Sequence, residues 1–189
     1  MISLTNWVII SLGSNQGDSR KLLRAAADFL QGLSDAPLRT SSLWKSAPLD
    51  CPPGSTYFLN AIIALQPRAN ETPESLLRQL LGFEREVGRR PSKIRHAPRP
   101  LDLDLIAFGT ERRRTKELIL PHPRAAERRF VLEPLAELAP ELILPGEART
   151  VRQLLKSIGS DQFVTRHPRV PRIPRFLPSQ RKKSNRGKR

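Results

Sequence analysis

The run Leu101-Asp102-Leu103-Asp104-Leu105 restricts the fold more than any other part of the chain. In an extended strand, residues i and i+2 share a face. The three leucines therefore require a core on one side. The two carboxylates lie on the other side, roughly 6–7 Å apart along the strand. Aspartate is disfavoured in strands and like charges repel, so the pattern carries a cost. Two readings fit it. One is a half-buried strand with a wet face. The other is a pair of ligands for hard cations. Mg²⁺ commonly takes one or two carboxylates together with substrate phosphates. Two metals about 3.5–4 Å apart can be bridged by such a pair with phosphate oxygens.

The residues just before the pair bear on this choice. Arg89, Arg90, Lys93, Arg95 and Arg99, with His96, form a basic loop tied to the acidic strand by Pro98-Arg99-Pro100. Taken alone, a charge run is usually a solvated loop. Arginine, however, binds phosphate oxygens bidentately, and cations beside a carboxylate–metal site neutralise charge on a transferring phosphoryl group. Other pieces are weaker. Gly13-Ser14-Asn15 reads as an ordinary strand-to-helix turn. Phe58 and Phe130 are core residues or platforms for a flat ligand. Asn60 interrupts the apolar run FLNAIIAL, and a buried amide needs partners, either a backbone or a heterocycle edge. His122 sits in a rigid Pro-His-Pro turn, as a turn residue or a donor to phosphate.

Periodicity places these residues on elements. Trp7–Leu12 is a strand, and a helix with apolar face Leu22, Leu23, Ala26, Phe29 and Leu30 follows, ending at Gly32. Residues 37–45 read as a polar strand, 47–56 as a Pro/Gly loop and 58–65 as a buried strand. Thr72 caps and Pro73 opens a helix that closes at Gly88. Residues 101–108 and 117–120 are strands; 130–138 and 151–158 are short helices. The order β-α-β-β-α-β predicts an α+β fold, a ferredoxin-like βαββαβ sandwich with helices on one face of an antiparallel sheet, plus extra C-terminal helices.

A length of 189 residues suits one domain with a tail, set here at 1–160 and 161–189. The net charge of +15 is uneven: ten Lys and Arg and no acid lie between Arg166 and Arg189, leaving +5 for residues 1–165. The body suits an anionic small substrate better than nucleic acid. The tail is expected to be disordered. Its Pro-Arg repeat at 168–175 places Arg169, Arg172 and Arg175 along one edge of a polyproline II helix, suited to weak polyanion binding. A single cysteine, Cys51, excludes an intramolecular disulfide framework and a Cys-rich metal cluster. No apolar run approaches the ~20 residues of a membrane span, and no signal peptide is evident, so no membrane association and a cytoplasmic location are expected. RNA-recognition domains of this fold class carry aromatics on central strands. Here aspartates occupy the key strand. No GxxxxGK[ST] phosphate loop is present.

Together, the stretches ISLGSNQGD, SLWKSAPL, FLNAIIAL, FEREVGRR, APRPLDLDLIAFG and LPHPRAAERRFVLEPLAELAP resemble the 6-hydroxymethyl-7,8-dihydropterin pyrophosphokinase family from about Val8 to about Pro145. The resemblance implies Mg²⁺-dependent transfer of pyrophosphate from ATP to the pterin alcohol, with release of AMP, in folate biosynthesis. By position it implies that Asp102 and Asp104 hold two Mg²⁺ ions, and that Arg89, Arg95 and Arg99 are catalytic cations. Phe58 and Phe130 sandwich the pterin, Asn60 reads its edge, and Ser46 and Leu49 contribute backbone groups. Glu84, Arg95, Arg99, His122 and Arg128 meet the nucleotide. A monomer is expected. The chain departs from the family pattern at Leu81, Pro91 and His96-Ala97, where a glutamine, an arginine and Trp-Gly are often found; these positions bear on the ATP pocket.

Overall fold

The computed structural model describes residues 6–90, 92 and 97–167. The chain runs β1 (Val8–Ser14), α1 (Ser19–Gly32), β2 (Arg39–Thr40), β3 (Trp44–Ser46), β4 (Phe58–Leu65), α2 (Pro73–Glu86), β5 (Asp102–Phe108), β6 (Arg113–Arg114), β7 (Ile119–Leu120), α3 (Arg129–Leu138), α4 (Val151–Ser157) and β8 (Val164–Arg166). The main sheet has the order β5-β1-β4-β3-β8, with β2 also on β4, and its pairings are antiparallel. The fold is thus α+β on an antiparallel sheet.

Local chemistry sets the helix ends. Asp18 accepts the Lys21 N–H and starts α1. Thr72 and Ser75 form a reciprocal capping box on α2, with proline in its first turn. Thr150 and Gln153 do the same for α4. The buried stripe of α1 (Leu23, Ala26, Leu30) and that of α2 (Leu76, Leu80) pack on Val8, Ile10, Leu12, Ile63, Leu103 and Leu105. Phe29 and Phe83 stack between these helices, with centroids 4.3 Å apart.

The expectation that helices cover one face is corrected. Helices α3 and α4 bring Val131, Leu132, Leu135, Val151 and Leu154 onto Ile9, Ile62, Ala64 and Ile106, on the opposite face. The cause lies in β1, whose odd and even positions are both apolar at its start, so neither face can be left to water. Farther along the same face, Ile9 gives way to Ser11 and Gly13, and Ile62 to Asn60. The apolar cover ends there. A register shift between Ile9 and Ile10 lets β5 carry one extra residue, so Ile106 and Ala107 both reach the second face while Leu105 and Phe108 stay on the first.

Three smaller expectations also change. The strand at 37–45 is split into β2 and β3. Between them Ser41 uses its N–H and hydroxyl to bond the Ile62 backbone, and Glu137 of α3 takes the Ser42 N–H and hydroxyl and the Trp44 indole N–H. The strand at 117–120 shortens to β7 and pairs with β6 in a separate two-stranded ribbon. The packed chain also passes the expected boundary at residue 160: β8 adds to the sheet edge on β3, and the His167 N–H reaches the Leu43 carbonyl. The Pro-Arg repeat beyond it lies outside the described residues.

Leu103 is only 3% exposed and belongs to the first core. Leu103→Ala is expected to cost about 2–5 kcal/mol in urea unfolding, the range for a leucine truncated in a packed interior. A cost below about 1 kcal/mol would mean that this face of β5 is not core.

Candidate active site

The uncovered half of the second sheet face is a row built by register. Asp102 pairs across β5–β1 with Gly13, which pairs across β1–β4 with Asn60. Asp104 lies opposite Ser11 in the same way. Gly13 keeps this floor low: a Cβ there would stand 3.4 Å from Asn60 Oδ1, 3.8 Å from Phe58 Cδ1 and 3.9 Å from Asp102 Cβ. A side chain would occupy the floor of the pocket without breaking the strand.

Two cavities open from this floor. The first, with about 540 Å³ of space, is lined by Ser11, Gly13, Ser46, Leu49, Phe58, Asn60 and Phe130. The second, with about 1260 Å³, is lined by Glu84, Arg89, Lys116, His122, Arg124 and the exposed Leu81, among others. Arg99, Asp102, Asp104 and Arg128 line both. The carboxylate pair therefore stands at the junction of a small aromatic pocket and a larger basic cleft.

In the small pocket, Asn60 is 3% exposed. Its Nδ2 donates to Ser46 Oγ at 2.9 Å and lies 3.5 Å from the Trp44 carbonyl. Oδ1 is left facing Gly13 and the cavity as an acceptor. The Ser46 side chain thus orients the amide, a role distinct from the backbone contact implied for it. Leu49 is exposed at the rim, where its carbonyl accepts the Cys51 thiol at 3.3 Å. Phe58 enters from β4 and Phe130 from the start of α3, where the Arg128 guanidinium lies 5.3 Å over the Phe130 ring.

The junction is a charge network. Arg89 Nη1 binds Glu84 Oε2 and lies 3.0 Å from Asp102 Oδ1. Arg99 Nη1 is 3.1 Å from the same oxygen, and Arg128 Nη1 is 3.9 Å from Asp104 Oδ2. Glu84 is 1% exposed, and its Oε1 accepts the Leu103 N–H at 2.6 Å. Burial raises the Glu84 pKa, although the Leu103 N–H and Arg89 oppose the rise. Burial also raises Asp102, reinforced by the Asp104 charge and opposed by Arg99 and Arg89. For Arg89, burial pulls the pKa down, but Asp102 and Glu84 outweigh it and hold the cation above its ordinary value. Burial and Arg124 lower Arg128, against the pull of Asp104.

His122 follows the cis Leu120–Pro121 bond. Its N–H bonds the Ile106 carbonyl, and its Nδ1 accepts the Arg124 N–H at 3.2 Å. Burial, together with Arg128 and Arg124, lowers its pKa to about 4, so the ring is neutral at pH 7. Arg95 lies outside the described residues, as do Pro91 and His96.

Several contributors were not singled out from the sequence. Asn15, read there as a turn residue, clamps the loop after the basic segment. Its Oδ1 accepts the Arg99 N–H at 3.0 Å, its N–H donates to the Arg99 carbonyl, and its carbonyl accepts the Thr56 hydroxyl at 2.8 Å. Ser11 and Gly13 carried a legible signal, since small residues at i and i+2 break an otherwise apolar strand. Lys116 and Arg124 carried none.

The donor set fits magnesium. Among the described residues, no group of three or more His, Cys, Asp or Glu side chains could hold a metal ion. Two carboxylates on one face leave the remaining positions to phosphate oxygens and water, as Mg²⁺ prefers. Beside them, Arg99 Nε is a buried donor without a partner among the described residues. An anionic ligand suits it.

The described residues thus set a carboxylate pair on an antiparallel α+β sheet, where an aromatic pocket meets a basic cleft. Residues 9–140 match the model of the 7,8-dihydro-6-hydroxymethylpterin-pyrophosphokinase family, and the chain belongs to that family. A relative from Bacillus subtilis, named 2-amino-4-hydroxy-6-hydroxymethyldihydropteridine pyrophosphokinase, is 34% identical over 85% of this chain and 98% of its own length. One of the same name from Pseudomonas aeruginosa is 39% identical over 78% of this chain and 89% of its own. The chain spans 20% of the longer folic acid synthesis protein fol1 of Pneumocystis carinii, at 35% identity. Among solved structures, wild-type Plasmodium falciparum HPPK-DHPS matches with a TM-score of 0.64 and 14% identity, covering 80% of this chain and 44% of that one. At that identity the likeness concerns the fold. No helix among the described residues is long and apolar enough to cross a membrane.

The lowered His122 pKa has a consequence for stability. Between the ordinary value of 6.5 and about 4 the unfolded chain binds a proton that the folded chain resists. Stability should therefore fall as pH drops through that window. Melting curves from pH 4 to 7.5 for wild type and His122→Gln are expected to show a steeper acid loss in wild type. Parallel curves would mean that His122 is freely solvated.

Proposed function

We propose that this chain transfers the pyrophosphoryl group of ATP to 6-hydroxymethyl-7,8-dihydropterin and releases AMP, in a Mg²⁺-dependent step of folate biosynthesis, on a ferredoxin-like sheet. The observation that carries the proposal is the junction: the small aromatic pocket and the larger basic cleft share Arg99, Asp102, Asp104 and Arg128. The names of the relatives point to the same chemistry.

The pterin is assigned to the first pocket. Phe58 and Phe130 would enclose its ring, and Asn60 Oδ1, held free by Ser46, would accept a hydrogen bond from its edge. This directs the hydroxymethyl group toward the carboxylate pair. ATP is assigned to the second cleft, where Arg89, Arg99, Arg124 and Arg128 supply positive charge for the phosphates. Neutral His122 could donate to a phosphate oxygen through Nε2–H. Glu84 is already committed to Leu103 and Arg89, so it acts through Arg89 rather than on the nucleotide.

Asp102 and Asp104 would hold two magnesium ions, which when bound supply neutralisation of the phosphate charge. The hydroxymethyl oxygen attacks the β-phosphorus while the bond to the α-phosphate oxygen breaks. The residues need only position and neutralise, without a covalent intermediate. Asn15 contributes by fixing the Arg99 backbone at the junction.

The test is product identity. With Mg·ATP and the reduced pterin alcohol, AMP should form and ADP should not. Asp104→Asn should keep its fold, since Asp104 lies on the face opposite the Leu103 core, and should lose at least about 100-fold in turnover. ADP as product would refute the diphosphotransfer. A folded Asp104→Asn protein with wild-type rate and Mg²⁺ dependence would refute the metal assignment.

A further inference from the structure

The two walls of the small pocket come from distant parts of the chain. Ser46 and Leu49, with Phe58 and Asn60, lie on or between β3 and β4. Arg128 and Phe130 stand at the start of α3. That helix start is poorly secured by its own sequence. Arg128 occupies the N-cap position and makes no side-chain cap hydrogen bond. The first N–H groups of a helix need acceptors from elsewhere.

Gln162 supplies one from thirty-three residues downstream. Its Oε1 accepts the Arg129 N–H at 2.9 Å. Its Nε2 donates to the Glu127 carbonyl, also at 2.9 Å. The one amide therefore holds the backbone on both sides of Arg128. Arg129 answers from the helix, with Nη1 3.4 Å from both the Ile158 and Gly159 carbonyls. The next residue reaches the opposite wall: the Ala47 N–H donates to the Phe163 carbonyl at 3.1 Å, and Val164 pairs with Ser46 in the sheet. The Phe163 ring also meets Tyr57 edge-on, with centroids 6.0 Å apart.

We infer that Gln162 is a positioning residue for the pterin pocket, an amide splint that sets Arg128 and Phe130 at their distance from the Ser46–Asn60 wall. It does not line either cavity, and it acts through the backbone it holds. The inference rests on the pterin being the occupant of that pocket. Its effect should therefore fall most on the pterin, whose pocket is lined by both Arg128 and Phe130, and less on ATP, whose cleft shares Arg128 alone and is built mainly from α2, β5 and the 116–124 segment.

The experiment uses the full chain as wild type, Gln162→Ala and Gln162→Glu. The glutamate keeps an acceptor for the Arg129 N–H and loses the donor to the Glu127 carbonyl. Three things are measured: KM for the pterin alcohol and for ATP separately with kcat, the melting temperature, and amide hydrogen exchange at residues 129–131. Loss of a helix cap corresponds to about a fivefold effect. Gln162→Ala should raise the pterin KM by about that factor, with the ATP KM and kcat changed less than about twofold, and should speed exchange at Arg129. Gln162→Glu, which keeps the bond to Arg129 but turns a carboxylate oxygen to the Glu127 carbonyl, should recover only part of the pterin KM. An unchanged pterin KM in Gln162→Ala overturns the inference. So does an equal rise in both KM values with a matching fall in melting temperature, the pattern of a merely structural residue. Unchanged exchange at Arg129 would overturn the splint itself. If wild type forms no AMP from the pterin, the proposed function fails and the claim about the pterin fails with it, while the exchange data still report on the splint.

Discussion

Glu84 lies at the end of α2 with almost no contact with water, and a buried carboxylate is costly unless its oxygens are engaged. One oxygen takes the N–H of Leu103, between the two aspartates, and the other takes Arg89. The same guanidinium then reaches Asp102. Helix α2 is thus tied to β5 at the point where β5 turns its carboxylates to the open face. Removing one partner of such a set leaves a buried charge uncompensated, which is more damaging than losing the pair's net attraction. The position of the acidic pair depends on this tie, and so does the cationic environment that lets two neighbouring aspartates coexist.

The sheet explains why the site lies where it does. Its first face is closed by α1 and α2, and its second by α3 and α4 over half its extent. The half without a helix above it carries Ser11, Gly13, Asn60, Asp102 and Asp104. Each is too small or too polar to call for a helix above it. Loops close the remaining sides. Asn15 grips the Arg99 backbone and is itself bonded by Thr56, so the ends of three loops meet at Arg99. Cations that approach the pair come from separate parts of the chain, Arg89 and Arg99 to Asp102 and Arg128 to Asp104. Rigid elements hold the acids, while longer side chains from their ends supply the neutralising charge.

Much of this was legible in one dimension. The alternation in Leu101–Leu105 assigned the leucines to a core and the aspartates to the opposite face, because strand periodicity is a local property of the backbone. Thr72-Pro73 and the apolar stripe behind it announced α2 for the same local reason. Asn60 stood out as an amide in an apolar strand, which signals a polar purpose even before its partners are known. The family resemblance was also carried by short contiguous stretches. What stayed hidden was non-local. Covering of the second face depends on where α3 and α4 return. The use of Ser46 to aim Asn60 depends on the β3–β4 register. The edge strand β8, three residues long, has too little pattern to be distinguished from a tail.

The amino-acid order alone therefore indicated the main helices and strands, the alternation that sets the two aspartates opposite the leucines, and, through its family stretches, the class of enzyme. Each of these is encoded by spacing within a few residues. Tertiary structure alone decided which cavity each residue serves, that Glu84 is a buried tie, that Asn15 is a clamp, and that a glutamine near residue 160 secures a helix begun near residue 129. These depend on contacts between residues tens of positions apart. The free energy of such contacts comes from burial and geometry once the sheet has formed, and no local pattern in the chain anticipates it.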